Sequence, residues 1–252
     1  MKLPQTAVAL VVPAVVAAVA LFAAAPAGAE GCRPIDSIPY TIDEPGLYCL
    51  VCDFRTDLDV GAAITVDADN VTIDFQQFSI DNRSAGLGTG AIGVQAYERS
   101  DVVVRNGTLM GFYEGISLSG PLGVQTSNNH LVEDMRIAYS IRNGIGINGF
   151  GSVVRRNVVY DTGNAEEVGT GIFLTGWRHH VVDNDVERVL PPKGSTGISF
   201  TSGGDNHLAE NNRITGAENG IWMAGRNTKY RDNLTNEVNV PYTGGLDVGN
   251  NF

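Results

Sequence analysis

The dipeptide Gly-Ile recurs along this chain at Gly115-Ile116, Gly144-Ile145, Gly171-Ile172, Gly197-Ile198 and Gly220-Ile221, with a looser copy at Gly90-Ala91-Ile92. From glycine to glycine the intervals are 25, 29, 27, 26 and 23 residues. Each glycine opens a short stretch ("GISL", "GIGI", "GIFL", "GISF", "GIWM") in which the isoleucine and the residue two places on alternate with an outward position, the period of a strand. A repeat at this period means stacked units, each unable to bury its apolar face alone.

Farther along each unit an asparagine interrupts a second apolar stretch, at Asn157, Asn184, Asn212 and Asn233, while Gly107 and Met135 hold that slot earlier. No long stretch has helical periodicity, and the 31 glycines suit a chain that turns often. Three short strands per unit are too many for one hairpin, and helices for a horseshoe repeat are missing. The reading is all-β: a single-stranded right-handed parallel β-helix of about seven coils with an N-terminal cap, each coil stacked at about 4.8 Å on the last. Apolar ladders fill the inside, and inward asparagines hydrogen-bond along the stack.

The segments "AITVDADNVTIDFQQFSIDN" and "DVVVRNGTLMGFYEGI" resemble the opening coils of secreted right-handed β-helix proteins of the pectate-lyase-like superfamily, and "YTIDEPGLYCL" resembles their N-terminal cap. The resemblance runs from about Cys32 to Val240. It implies a fold and not an activity, since this architecture hosts lyases, hydrolases, epimerases, tailspikes and proteins without a known reaction.

The first 29 residues read as a signal peptide: Lys2, an apolar run from Ala7 to Ala25, then Ala27-Gly28-Ala29. The run is long enough to span a bilayer, so a retained anchor is the alternative. The expected organisation is signal peptide 1–29, cap segment with a disulfide 30–61, β-helix 62–240 and C-terminal tail 241–252. Export to a secreted or periplasmic location permits disulfides, and Cys32–Cys49 is the pair expected among Cys32, Cys49 and Cys52. A redox reading of Cys49-Leu-Val-Cys52 and lipidation of Cys32 are the alternatives. The formal charge of −11 argues against nucleic acid, and no membrane partner is expected after signal cleavage. A monomer is expected.

The resemblance implies that the Gly-Ile strands floor a substrate groove. Outward residues there include Gln95, Ser117, Ser119, Asn148, Phe173, Thr175, Ser199, Thr201 and Trp222. Asn148, Phe173, Thr175, Trp177 and Trp222 are the expected sugar-binding residues. These floor residues include no carboxylate, so the ligand cluster that calcium requires is not seen and no cofactor is expected, although calcium stays open. The Asn-Thr-Asp, Asp-Asp and Gly-His-Gly elements of polygalacturonases and the Asp-Pro-His of mannuronan epimerases are also absent.

The loops "YDTGNAEEVGT" and "ERVLPPKGST" supply candidate walls. Tyr160, Asp161, Arg178 and His179 are the candidate catalytic set, offering a base, an acid and a charge-neutralising group for β-elimination. Asp161 with Glu166 or Glu167 offers the carboxylate pair of a hydrolase. Solvated loop charges are the bland alternative. His180, His130 and His207 fall, to within a residue, in one polar slot of the repeat. That leaves Trp177, Arg178 and His179 as the unusual residues of their turn. The expected function is engagement of an extracellular polysaccharide, as a lyase, hydrolase or epimerase; the alternative is a non-catalytic carbohydrate-binding or structural surface protein.

Overall fold

A computed structural model describes residues 31–121, 126–191, 193–201 and 204–252. The expected signal peptide lies outside the described residues. The rest is a parallel β-helix of about seven coils, right-handed as parallel crossovers are. Among the described residues the one helical element is a single turn at Arg83–Ala85.

Three parallel sheets run along the axis. The first takes in Tyr40–Ile42, Ala62–Val66, Ile92–Tyr97, Glu114–Ser119, Asn143–Phe150, Thr170–Trp177 and Thr196–Phe200, then the last residues of Arg213–Met223 and Leu234–Gly244. The second runs from Arg33–Ile35 through strands such as Val153–Arg155 and His180–Val182 to Leu246–Asp247. The third runs from Phe54–Arg55 through Val158–Thr162 and Asp185–Val189 to the start of Leu234–Gly244. Within the cap segment expected over 30–61, the strands Arg33–Ile35, Tyr40–Ile42, Gly46–Leu50 and Phe54–Arg55 join these ladders, and the ladders continue past residue 240. Cys32 and Cys49 form the expected disulfide, and Cys52 is free and exposed.

Register explains the repeat. Ile116, Ile145, Ile172, Ile198 and Ile221 stack in one inward column, each fully or almost fully buried. The glycine before each isoleucine is demanded by space. A Cβ on Gly144 would lie 2.4 Å from Val159 Cγ1, and one on Gly171 would lie 2.4 Å from Val186 Cγ1 and 2.7 Å from the Gly197 carbonyl. A third-sheet branched side chain reaches across the core at each of these rungs, leaving no room for a methyl group.

The asparagine slot is a buried amide ladder. Asn184 Oδ1 accepts from both the backbone N–H and the Nδ2 of Asn157, each at 3.0 Å. Asn212, Asn233 and Asn251 repeat the arrangement down the stack. Nδ2 also donates to a carbonyl, as Asn184 does to Val154 at 2.9 Å. Amide groups that would be costly to bury unpaired are thereby satisfied. At the head of the ladder, the Met135 N–H donates to Asn157 Oδ1.

The histidine slot differs from expectation by one residue. His180 pairs in register with Val153 and Leu208, so His179 is the residue that stacks with His130, Ser152 and His207. The His179 and His207 rings lie parallel, 5.3 Å apart, and Phe200 covers His207. His180 stands at the outer edge, 3.5 Å from Glu210.

Candidate functional site

Side chains on the outer face of the first sheet form columns just as the inner ones do. One reads Gln95, Ser117, Gly146, Phe173, Ser199, Trp222. Phe173 therefore stands directly beside a rung with no side chain. A neighbouring column holds Ser119, Asn148 and Thr175. The step from Phe173 down to Gly146 creates a hollow of about 250 Å³, lined by Glu114, Ser117, Arg142, Gly146, Asn148 and Phe173, with Ser119 and Thr175 at its end.

Gly146 is unlike the glycines of the repeat. A Cβ there would come no closer than 3.5 Å to any atom, at Glu114 Oε2. Glycine weakens a strand interior, and here no packing demand explains it; its effect is to leave the groove floor open.

The polar groups of the hollow are held in place. Glu114 Oε1 accepts from Asn143 Nδ2 at 2.7 Å, and Asn148 Nδ2 donates to the Gly120 carbonyl at 2.6 Å. Exposed Arg142 makes no ion pair among the described residues. By contrast Arg155 and Arg156 are paired with Glu133 and Asp134 on the outer surface. The groove thus presents a carboxylate, a guanidinium, amides and hydroxyls around one aromatic face. No group of His, Cys, Asp and Glu suited to a metal ion occurs among the described residues.

The expected site residues divide into three places. Asn148, Phe173 and Thr175 line the hollow together. Trp222 lies on the Phe173 column two rungs away, 48% exposed. Trp177 ends its strand and stacks on Phe150, centroids 4.6 Å apart and 24° between planes.

The four residues expected to act together are not brought together. Tyr160 packs edge-on against Tyr139, and Asp161 pairs with Arg188, at the corner where the third sheet turns into the first. Arg178 and His179 lie at the opposite edge, beyond the eight-residue strand Thr170–Trp177. Eight strand residues span about 26 Å, so the two pairs cannot meet over Phe173. His179 is also enclosed: its Nε2 faces the Thr175 carbonyl at 2.9 Å and its Nδ1 accepts the Ser152 N–H at 3.3 Å. Burial pushes its pKa down to about 4.

Glu114, Arg142, Asn143 and Gly146 were not among the expected site residues. Their signal lay in the repeat itself. Glu114 immediately precedes a Gly-Ile pair, where the following units carry Asn143, Thr170, Thr196 and Asn219, and it is the sole carboxylate among those five.

No family model and no curated protein matches the chain. Among solved structures it is similar to the DFA-IIIase of Arthrobacter chlorophenolicus A6, solved in complex with GF2, with a TM-score of 0.54 at 16% identity over 78% of this chain and 46% of that one. The Agl-KA catalytic domain aligns over 87% of this chain and 60% of its own, with 12% identity and a TM-score of 0.38. The class that the sheet topology and the likeness to the DFA-IIIase define is the parallel β-helix. The chain spans about half the length of the DFA-IIIase, and at this identity the likeness is one of fold.

Proposed function

We infer that this chain is an exported, monomeric β-helix protein that binds a polysaccharide along the outer face of its first sheet. The observation that carries the reading is Phe173 beside the open rung at Gly146, ringed by Asn148, Thr175, Ser117 and Arg142. An aromatic face takes the C–H side of a sugar ring while amides and hydroxyls take its hydroxyl groups. The carbohydrate-related fold neighbour agrees with this reading, since DFA-IIIase was solved with GF2 bound. The disulfide and the absence of a membrane-crossing helix among the described residues are consistent with a secreted or periplasmic place.

One observation favours a second, catalytic reading: Glu114 and the unpaired Arg142 face the same hollow. Glu114 would serve as the acid–base group there. A two-carboxylate hydrolase needs a partner about 5 to 10 Å away, and none of the other residues lining this hollow is a carboxylate. Binding is therefore the reading preferred.

Affinity electrophoresis through gels containing neutral and acidic polysaccharides tests it. Wild-type protein should be retarded by at least one polymer, and Phe173→Ala should weaken that retardation about tenfold, equivalent to roughly 1.4 kcal/mol. Retardation by none, or equal retardation of both proteins, sinks the reading. Release of reducing ends or unsaturated products that depends on Glu114 would replace it with the catalytic one.

A further inference from the structure

A second groove runs parallel to the helix axis along the corner between the third and first sheets. Its middle is a hollow of about 370 Å³ lined by Leu87, Tyr139, Ile141, Asp161, Arg188 and Leu190. This hollow shares Leu87, Tyr139 and Ile141 with one of about 250 Å³ that reaches Arg83 and Gly111. It shares Arg188 and Leu190 with another of about 290 Å³ that reaches Gly216 and Glu237. The three therefore adjoin one another along this corner.

Strand register shows why it is straight. Gly111, Tyr139, Asp161, Arg188, Gly216 and Glu237 follow in-register residues at the ends of successive third-sheet strands, and each has a left-handed backbone, with φ of 76, 56, 54, 50, 70 and 54°. The chain makes the same kink at every rung. Five steps of about 4.8 Å give a groove of roughly 24 Å, the length of an extended ligand rather than a small molecule.

The lining selects the ligand class. Leu87, Tyr139 and Leu190 are 73%, 42% and 37% exposed, an unusual amount of apolar surface at one corner. Both arginines are already neutralised, Arg83 by Asp81 and Arg188 by Asp161, and the Arg83 guanidinium lies 5.5 Å from the centre of the Tyr139 ring. Such ion pairs still offer donors and acceptors at their rims but leave no positive charge to attract an acidic polymer, and Glu237 at one end adds a carboxylate that repels one. A peptide strand has no edge to join: the N–H groups of Gly111, Tyr139, Gly163 and Gly169 all donate within the stack, to Ala138, Tyr160, Ser140 and Leu190. The groove thus suits a long, uncharged chain with apolar faces and many hydroxyls.

We propose that this corner groove is a second binding site for a neutral polysaccharide chain, working together with the groove over Phe173. The proposal rests on the carbohydrate reading of the first groove. The two flank one turn, with Ile141 lining the corner and Arg142 and Asn143 lining the first-sheet hollow. Two sites on one polymer raise its apparent affinity without any new contact at either.

The test uses affinity electrophoresis with dextran, galactomannan and arabinoxylan against polygalacturonate and alginate, on wild type, Tyr139→Ala, Leu87→Asp and Phe173→Ala. Leu87→Asp changes a side chain that is 73% exposed, so it reports on the groove even where Tyr139→Ala disturbs the corner; urea midpoints confirm the fold of each. The expected result is retardation by a neutral polymer that both corner variants weaken about tenfold or more. The double variant Tyr139→Ala/Phe173→Ala should lose it altogether. Corner variants that match wild type, while Phe173→Ala loses binding, overturn this proposal and leave the first groove standing. The reverse pattern removes the first groove and overturns the paired arrangement, leaving the corner as a lone site. Retention by the acidic polymers alone overturns the neutral class, and retention by no polymer overturns both sites.

Discussion

Lowering the pH from 7 to 4.5 is expected to destabilise this fold through three stacked imidazoles. His130, His179 and His207 are each about 1% exposed. Each uses Nδ1 as an acceptor for a backbone N–H of its own or the preceding coil: Val102 at 3.4 Å, Ser152 at 3.3 Å and His179 at 3.2 Å. A proton on Nδ1 would confront that N–H directly, so the folded state requires neutral rings. Desolvation pushes all three pKa values down to about 4, against an ordinary 6.5. The unfolded chain therefore binds more protons than the native one between these two values, and stability falls as pH drops through that window. A shift of about 2.5 units at 1.36 kcal/mol each gives roughly 3 kcal/mol per ring once the pH is below 4. The three rings are coupled through His179, and together they put at stake several kcal/mol, a large part of the whole stability of a typical domain, about 5 to 15 kcal/mol. Urea unfolding followed by tryptophan fluorescence between pH 7.5 and 4.5 measures the slope, expected near 4 kcal/mol per pH unit in mid-window. His179→Ser, which copies Ser152 at the neighbouring rung, should lower stability at pH 7 yet cut the slope by about a third. A urea midpoint that is flat across the window, or NMR titrations near 6.5 for the His130, His179 and His207 rings in the folded protein, would refute the reasoning.

Three further outcomes follow from the packing. Asn184→Ala removes the acceptor of two Asn157 donors; at about 1 to 3 kcal/mol for each buried group left unpaired, the urea midpoint should fall sharply. Gly171→Ala places a methyl 2.4 Å from Val186 Cγ1 and should cost about 1 to 3 kcal/mol in the same assay, whereas Gly146→Ala meets nothing within 3.4 Å and should cost less than 1. Reducing Cys32–Cys49, a pair 17 residues apart, should lower stability by about 3 kcal/mol, read as a drop in Tm on adding a thiol.

What the sequence revealed followed from what repeats. The Gly-Ile pairs mark rungs because the same branched third-sheet residue excludes a side chain at each one, and the asparagines repeat because each amide satisfies the next. Asn251 has no such signature in the sequence because it closes the ladder without a full unit around it. The ends were harder to read. The first coil, Arg33 to Arg55, lacks the repeat's motifs and is built of strands of only two to five residues.

The site was less legible for a geometric reason. Sequence gives the order of residues around a coil but not which corner a turn leans toward, so Tyr160 and Asp161 were expected beside Phe173 and stand one corner away. Turns of unequal length shift the count by one, which exchanged His180 for His179 in the buried column. Gly146 carries no signal of a site in the sequence because a missing side chain has no chemistry of its own; its meaning comes from standing beside Phe173 on the next rung.

The most direct test of the central claim is a crystal structure with an oligosaccharide of whichever polymer retards the protein. The account predicts a sugar ring stacked on Phe173 over Gly146, with Asn148, Thr175 or Arg142 bonded to its hydroxyls. A saccharide seated elsewhere, with the hollow over Gly146 unchanged, would contradict it.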